Sequence, residues 1–246
     1  MTRAAGLFSG GIAGINGYIL AVKVDYGFGK PAARRLYRAA QTRLTIIRAG
    51  AGSEWIGDVT AWLIALTDFG DLALLIPLSA AILIWLVRNS SRAAPQWILA
   101  LSLCIGLTAL LKIAFHACPP ADNIHSPSGH TSLSTLVYGA LALVSAAAWP
   151  GLHRVLVIAG GAGLILAIGV SRLLLDAHSV AEVGLGLAIG AVSLAMFSRQ
   201  YLQAPTTKMW PLLVVAGVLV LALHGRELHA EQFLHRITGY LPVHCG

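Results

Sequence analysis

Six long apolar runs, separated by short polar segments, dominate the chain after residue 66. Each run approaches the roughly 20 apolar residues that a membrane-spanning helix needs, although the last run is shorter. None alternates apolar and polar residues over blocks of about ten, as transmembrane strands do. The pattern therefore predicts an all-α, polytopic membrane helix bundle. The predicted spans are Gly70–Val87, Gln96–Phe115, Thr131–Trp149, Arg154–Leu175, Val180–Ser198 and Met209–Leu223.

Small residues recur within these runs. Membrane helices approach each other closely through small side chains, so glycines at such positions favour one compact bundle. These glycines are Gly139, Gly160, Gly161, Gly163, Gly184, Gly186 and Gly190.

The two ends of the chain have a different pattern. Ala4–Val22 is uncharged but rich in glycine, so it is a first span, an interfacial segment or a signal-like anchor, and we expect it to be retained. Pro31–Arg48 mixes arginines with apolar side chains, which indicates an amphipathic stretch on an anionic membrane surface or, alternatively, a solvated linker helix. We predict a membrane-associated basic segment at 1–66, a core at 67–224 and an amphipathic tail at 225–246.

Composition supports a membrane protein and excludes other classes. Hydrophobic types make up 57% and charged types 11% of the 246 residues, whereas soluble domains carry about 25% charged residues. This excludes an ordinary soluble domain, a disordered chain and a nucleic-acid-binding arm. The net charge of +7 suits anionic lipid headgroups as partners, with no nucleic acid. Three cysteines fit neither a disulfide framework nor a zinc ligand set.

Basic residues are divided unevenly between the two ends of the predicted spans. The positive-inside rule makes the richer face cytoplasmic, so the other face points outward, to the periplasm if the membrane is a bacterial inner membrane. The basic stretch Lys23–Arg48 opposes this orientation, because counting spans places it outside too. Either it lies in the interface or the span count is off by one. The richer face carries Arg88, Arg92, Arg154, Arg199 and Lys208, and the core's opposite face carries Lys112 and Arg172.

Polar residues cluster at this outward face. Ionisable residues in or beside membrane helices are costly, so each needs a reason. Two basic side chains, two histidines and one carboxylate meet there, and cations beside N–H groups at helix starts are typical of an oxyanion or phosphate site. The cluster contains Lys112, Ser128, Gly129, His130, Ser171, Arg172, His178 and Glu182.

The spacing of these residues indicates a mechanism. His178 and Glu182 are four apart on one helix face, so the carboxylate fixes the imidazole tautomer and leaves the other ring nitrogen as a nucleophile. Arg172 reaches the same anion across a tight turn. The helix start at Ser128–Gly129 directs N–H groups toward a phosphate, and His130 is placed to protonate a leaving oxygen.

Each residue also has an ordinary structural interpretation. Lys112 alone is a snorkelling interface residue, and Arg172 alone pairs with Asp176 at a helix end. The two histidines are, taken singly, a helix-surface partner and a helix cap. The convergence of all these residues on one face favours a functional site over separate structural roles.

Two motifs at these positions resemble those of the type 2 phosphatidic acid phosphatase superfamily. One is Pro127-Ser128-Gly129-His130, and the other is Ser171-Arg172, five residues, His178, three residues and Glu182. Lys112 stands where that family's first motif begins, and Thr67–Asp71 resembles the stretch that commonly opens its first core helix. The resemblance covers about Thr67–Ser198. The tetrapeptide alone is a weak signal, whereas both motifs at this distance are specific.

The resemblance implies a six-helix core and a metal-independent phosphatase with a phosphohistidine intermediate, and we predict no metal and no cofactor. By matching position, His178 is the nucleophile, Glu182 its orienting partner and His130 the general acid. The implied phosphate-binding residues are Lys112, Ser128, Gly129 and Arg172. The expected substrate is a phosphate monoester or pyrophosphate on a lipid headgroup, such as phosphatidic acid, phosphatidylglycerol phosphate, a polyprenyl pyrophosphate or a lipid A phosphate.

Two positions depart from the family pattern. Glu182 stands where aspartate is usual, which keeps the charge and adds one methylene. Pro119 stands where the first motif has arginine, so one phosphate contact worth about 1.5–3 kcal/mol is missing. His116 and His125 in the same loop either substitute for it or are simply solvated. Two alternatives to hydrolysis remain: phosphotransfer to another lipid or sugar, and, because of Pro119, a non-catalytic lipid-phosphate-binding or transport protein.

Overall fold

The computed structural model of the chain describes residues 53–90, 92–117, 126–201 and 209–226. These residues form seven α-helices, numbered here in chain order. The helices are α1 (Ser53–Asp68), α2 (Leu72–Asn89), α3 (Ala93–Ala117), α4 (Gly129–Ala148), α5 (Leu152–Leu174), α6 (Val180–Tyr201) and α7 (Trp210–Leu223). Most of the predicted basic segment and of the amphipathic tail lies outside the described residues, so the predicted region boundaries stay predictions.

The predicted all-α class is confirmed, and the described ranges contain no strand. Five stretches are long and apolar enough to cross a membrane, which indicates an integral membrane protein. These stretches are Asp58–Asn89, Ala93–Phe115, Gly129–Ala148, Leu152–Leu174 and Val180–Arg199.

The first stretch contains a turn, and the last apolar helix is short. Phe69–Asp71 separates α1, which packs against α5, from α2, which packs against α3, α4 and α7. α7 has 14 residues, fewer than the roughly 17–25 of a typical span. Its C-terminal end reaches the α1–α2 turn, where the ring centroids of His224 and Phe69 are 4.6 Å apart. The implied six-helix core therefore corresponds to five stretches of spanning length and one shorter apolar helix.

α4 is the central helix of the bundle. It packs against α2, α3, α5 and α6, and every residue from Thr131 to Ala140 is buried. Thr135 donates a hydrogen bond to the Thr131 carbonyl (2.7 Å), and the hydroxyls of Ser132 and Thr108 of α3 are hydrogen-bonded at 3.0 Å. Because interhelical hydrogen bonds in membranes contribute about 0.5–2 kcal/mol each, the Ser132–Thr108 bond helps to fix α3 against α4.

Two glycines bring α6 against the backbone of α4. A Cβ atom on Gly186 would lie 2.6 Å from the carbonyl oxygen of Ser128, and one on Gly190 would lie 2.5 Å from that of Ser132. Side-chain carbons do not approach oxygens this closely, so only glycine permits the spacing. The contact holds the N-terminal ends of α4 and α6 side by side.

The two ends of the bundle carry different side chains. Arg88, Arg92, Arg154 and Arg199 lie at the end of α2, the starts of α3 and α5, and the end of α6. These positions share one end, because helices joined by short connections run antiparallel. At the opposite end, Gly70 lies against His130, and Arg172 Nη1 donates to Thr67 Oγ1 (3.3 Å). The polar cluster predicted from the sequence therefore gathers at the end opposite the arginines.

We predict that Gly190→Ala destabilises the bundle by about 1–3 kcal/mol, since the added methyl overlaps Ser132 and Thr135. Gly184→Ala on the same helix is the matched control, because a Cβ there meets no atom within 4 Å. That control gains helix propensity and should be neutral or more stable by up to about 1 kcal/mol. Thermal unfolding in detergent measures both, and equal melting temperatures for the two variants would contradict the packing.

Candidate active site

Two buried side chains at the start of α6 form a histidine–carboxylate pair. His178 Nδ1 lies 3.0 Å from Glu182 Oε2, and each side chain is only 6% exposed. The four-residue spacing places both on one side of the helix, as the sequence predicted. With Nδ1 protonated and donating to the carboxylate, the lone pair of the imidazole resides on Nε2.

Glu182 also joins α6 to the segment that precedes α4. Its Oε2 accepts from the Ser179 N–H (2.9 Å), while Ser179 Oγ accepts from the Glu182 N–H (3.3 Å), and these two bonds form a capping box. Its Oε1 accepts from the Ser126 N–H (3.0 Å), and its carbonyl accepts from the Ser128 N–H (3.1 Å). One residue thus orients His178, caps α6 and holds the start of α4.

These contacts give a structural reason for glutamate at position 182, where the resemblance led us to expect aspartate. A capping box uses Glu or Gln at the third helical residue, because the side chain must reach back to the N-cap N–H. The sequence carries this signal as Ser179-Val180-Ala181-Glu182, although the capping box was not among the features predicted above. The hydrogen bond between Ser126 and Glu182 could not be predicted from neighbouring residues, because 56 residues separate the two partners.

Ser128, Gly129 and His130 form the start of α4. Ser128 is the N-cap residue, and its Oγ accepts from the N–H (3.4 Å) and the hydroxyl (2.9 Å) of Thr131. Ser128 is fully buried, whereas Gly129 and His130 are half-buried. The buried Ser128 side chain therefore caps α4. The N–H groups of the first turn, together with the helix dipole, favour an anion at this position.

Lys112 of α3 reaches the start of α4. A Cβ atom on Gly129 would lie 3.8 Å from Lys112 Cε and 4.0 Å from its Nζ. Because Gly129 has no side chain, the ammonium lies beside the first turn of α4 and adds to the positive end of the helix dipole.

Arg172 lies in the last turn of α5 and is tied to both neighbouring segments. Its carbonyl accepts from the N–H groups of Ala177 (3.0 Å) and His178 (3.2 Å), and its guanidinium donates to Thr67. Asp176 between them is exposed and has φ of +53°, a conformation that aspartate tolerates better than most residues. The tight turn thus places the Arg172 backbone beside that of His178. The predicted contact of its guanidinium with a bound anion stays a prediction.

Asp71 is a site residue that was not predicted from the sequence. Its Oδ2 lies 3.8 Å from His130 Nε2, and its Oδ1 caps α2 by accepting from the Ala73 N–H (2.7 Å). An aspartate directly before an apolar run is a readable N-cap signal. Its proximity to His130 is not readable, because it depends on how the α1–α2 turn packs on α4.

Some predicted participants lie outside the described part of the chain. Pro119, Pro120 and His125 belong to the connection between α3 and α4, and the side chain of His116 is not described either. Their proposed roles stay predictions.

The residues brought together can perform one kind of chemistry. Lys112, Arg172 and the start of α4 provide positive charge and N–H donors for an oxyanion. His178 has a carboxylate on one nitrogen, as in a histidine prepared to donate electrons from the other. His130, half-buried beside Asp71, is available to transfer a proton.

Comparison with known proteins gives two matches. Residues 113–206 match the PAP2 superfamily, a range that contains His130, Arg172, His178 and Glu182 and begins directly after Lys112. The chain is 36% identical over 135 residues to a Klebsiella pneumoniae protein described as "Uncharacterized 22.5 kDa protein in cps region". That match covers 52% of this chain and 64% of the relative, which is less than two thirds of the relative's length. No solved structure matches the chain.

We predict that Glu182→Gln destabilises the protein by about 1–3 kcal/mol, because the amide nitrogen cannot accept from a buried N–H that the carboxylate now satisfies. Ser179→Ala removes only the bond from the Glu182 N–H and should cost about 1 kcal/mol. Thermal unfolding in detergent should rank the wild-type chain first, Ser179→Ala second and Glu182→Gln last. A Glu182→Gln variant as stable as wild type would show that the carboxylate does not hold the two segments together.

Proposed function

Because residues 113–206 form a PAP2 superfamily domain, we propose that this chain is an integral membrane phosphatase that hydrolyses a phosphate monoester or pyrophosphate of a lipid headgroup. The observation that carries the proposal is the buried His178–Glu182 pair at 3.0 Å. It lies one tight turn from Arg172 and at the same end of the bundle as Lys112 and the start of α4.

In the first step, the phosphate of the substrate binds between Arg172, Lys112 and the first turn of α4. Nε2 of His178 attacks phosphorus, a P–N bond forms and the P–O bond to the leaving group breaks. Protonated His130 gives its proton to the leaving oxygen as that bond breaks. The Glu182 carboxylate stabilises the positive charge that develops on the His178 ring.

In the second step, a water molecule releases the phosphate. Neutral His130 removes a proton from the water, whose oxygen attacks phosphorus while the P–N bond breaks. The products are inorganic phosphate and the free alcohol, or the lipid monophosphate when the substrate is a pyrophosphate. Both histidines return to their starting protonation states, and no metal or cofactor enters these steps.

An apolar groove between α2 and α3 supports a lipid substrate. Its volume is about 330 Å³, and α4 forms its floor. It starts about one helical turn after Asp71 along α2 and after Gly129 along α4. From there it runs along the bundle away from the candidate site and toward the arginine-bearing end. A headgroup in the site would thus have space for a hydrocarbon chain beneath it. The groove is lined by Leu75, Ile76, Ser79, Ala80, Leu83, Leu101, Ile105 and Leu133.

The distribution of basic residues between the two ends of the bundle supports a site that faces outward. The arginine-bearing end is expected in the cytoplasm by the positive-inside rule, so the site opens on the other side, which is the periplasm if the membrane is a bacterial inner membrane. Anionic membrane lipids are the expected surroundings, and the products are released outside.

A non-catalytic lipid-phosphate-binding or transport protein is the second candidate, and Pro119 favours it. The family pattern has an arginine there, and an arginine acting on the transition state of phosphoryl transfer can contribute about 10³–10⁵ in rate. Phosphotransfer, in which an alcohol other than water attacks the phosphohistidine, differs only in the acceptor and is separated from hydrolysis by the products formed.

We predict that the chain, purified in detergent, releases phosphate from at least one of a panel of lipid phosphates and pyrophosphates with a chelator present. His178→Ala should reduce the rate by about 10³-fold or more, because the nucleophile is lost. His153→Ala is the matched control, since His153 is exposed at the arginine-bearing end and contacts the ring of Trp149.

Each contrary result has a distinct meaning. No release from any substrate would support the non-catalytic candidate, and loss of activity with the chelator would overturn metal independence. Unchanged release by His178→Ala would remove this residue as the nucleophile. Transfer of labelled phosphate to an added alcohol in preference to water would establish phosphotransfer.

We also predict that Ala80→Trp, which fills the groove, raises KM for a long-chain lipid phosphate about tenfold. Displacing two methylene groups costs about 0.8 kcal/mol each. A short, water-soluble phosphate ester should be hydrolysed as before. Leu166→Trp, at a similar depth on the exposed face of α5, is the matched control. An equal KM change for both substrates, or for both variants, would remove the groove as the chain-binding surface.

A further inference from the structure

The second histidine of the site also lies beside a carboxylate. His130 Nε2 is 3.8 Å from Asp71 Oδ2, and the Asp71 side chain is 8% exposed against 22% for His130. This separation is longer than a hydrogen bond but within the range of an ion pair. The pairing differs from that of His178 and Glu182 because its partners come from different helices.

The fold restrains both members of this pair. Asp71 is the N-cap of α2, where its Oδ1 accepts from the Ala73 N–H at 2.7 Å. The preceding Gly70 lies so close to α4 that a Cβ atom there would be 3.2 Å from His130 Cβ and Cδ2. Tyr138 of α4 donates to the Phe69 carbonyl at 2.7 Å, which ties the same turn to the central helix. The carboxylate is therefore held next to the imidazole by the packing of this turn on α4.

We propose that Asp71 is the positioning residue of the general acid, holding His130 and stabilising its protonated form; this inference rests on the proposed function. The need for it follows from the phosphate site. Lys112 and Arg172, which attract the phosphate, also disfavour a third positive charge on His130. A buried carboxylate beside the ring offsets that effect, so a proton is available when the leaving oxygen needs it.

His130 loses one proton in the first step and regains one in the second. Protonated His130 donates one N–H proton to the leaving oxygen while its ring remains beside Asp71. It becomes neutral, and it regains a proton from the attacking water in the second step. Asp71 neither donates nor accepts a proton in either step.

The test replaces Asp71 by asparagine, which removes the charge and keeps the N-cap bond to Ala73. Two substrates separate a positioning role from a general loss of structure. A long-chain alkyl phosphate needs a proton on its leaving oxygen, whereas p-nitrophenyl phosphate has a leaving group that departs without one. We expect the alkyl phosphate rate to fall about 10- to 100-fold, and the aryl phosphate rate to fall much less.

Three variants accompany this experiment. Asp71→Ser also caps the helix without a charge, so it replaces Asp71→Asn if that variant does not fold. Asp176→Asn is the matched control, since it removes an exposed carboxylate at the same end of the bundle. In a His130→Ala background, Asp71→Asn should cause no further loss, because the residue through which it acts is gone.

A second readout does not depend on turnover. Nuclear magnetic resonance of ¹⁵N-histidine-labelled protein follows the ionisation of His130, identified by its absence in His130→Ala. We expect the neutral imidazole to be more populated at a given pH in Asp71→Asn than in the wild-type chain, because an opposite charge within about 4–6 Å favours the imidazolium. The other ionisable groups of the described chain at this end are Asp68, Lys112, Arg172, Asp176, His178, Glu182, His224 and Arg226, and they are the same in both proteins.

The outcomes are distinct. Equal losses on both substrates, a full additional loss in the His130→Ala background, or an unchanged ionisation curve of His130 would each overturn the positioning role. If the wild-type chain releases no phosphate, the proposed function fails, and the resonance titration still decides whether Asp71 controls the charge of His130.

Discussion

The direct contact between the backbones of α4 and α6 is the constraint on which the site depends. Because Gly186 and Gly190 lack side chains, the starts of the two helices lie close enough for the Ser128 N–H to reach the Glu182 carbonyl. The same proximity lets the Glu182 carboxylate accept from the Ser126 N–H. A wider separation would break both bonds and would move His178 away from the start of α4. The histidine is thus placed by helix packing within the apolar part of the bundle.

The site also illustrates how a membrane protein gathers its buried ionisable side chains at one end of the bundle. Buried ionisable groups are tolerated when they are paired and hydrogen-bonded. Here the cationic side chains lie near helix ends, Glu182 accepts three bonds from N–H groups, and Asp71 caps α2. Lys112 beside the first turn of α4, and Arg172 in the last turn of α5, add positive charge at the same end of the bundle. The proposed function uses these groups to bind a phosphate.

Much of the helical organisation was predictable, with specific exceptions. The run Gln96–Phe115 lies within α3, and Thr131–Trp149 differs from α4 by a few residues at its ends, because capping rather than hydropathy sets where a helix begins. The stretch from Trp55 to Thr67 is too short for its sequence alone to distinguish an interfacial segment from an extension of the next span. Only its packing against α5 and the turn at Phe69–Asp71 define it as α1.

The sequence by itself determined the features that depend on local chemistry. Long apolar runs specify membrane helices, because every residue of a span must be compatible with lipid. The four-residue spacing of His178 and Glu182 specifies their pairing, because the helical repeat places them on one face. Only the tertiary structure decided that Arg172 donates to Thr67, 105 residues earlier in the chain, and that Asp71 lies beside His130. Such contacts depend on the relative rotation and depth of separate helices, which follow from side-chain packing along their whole length.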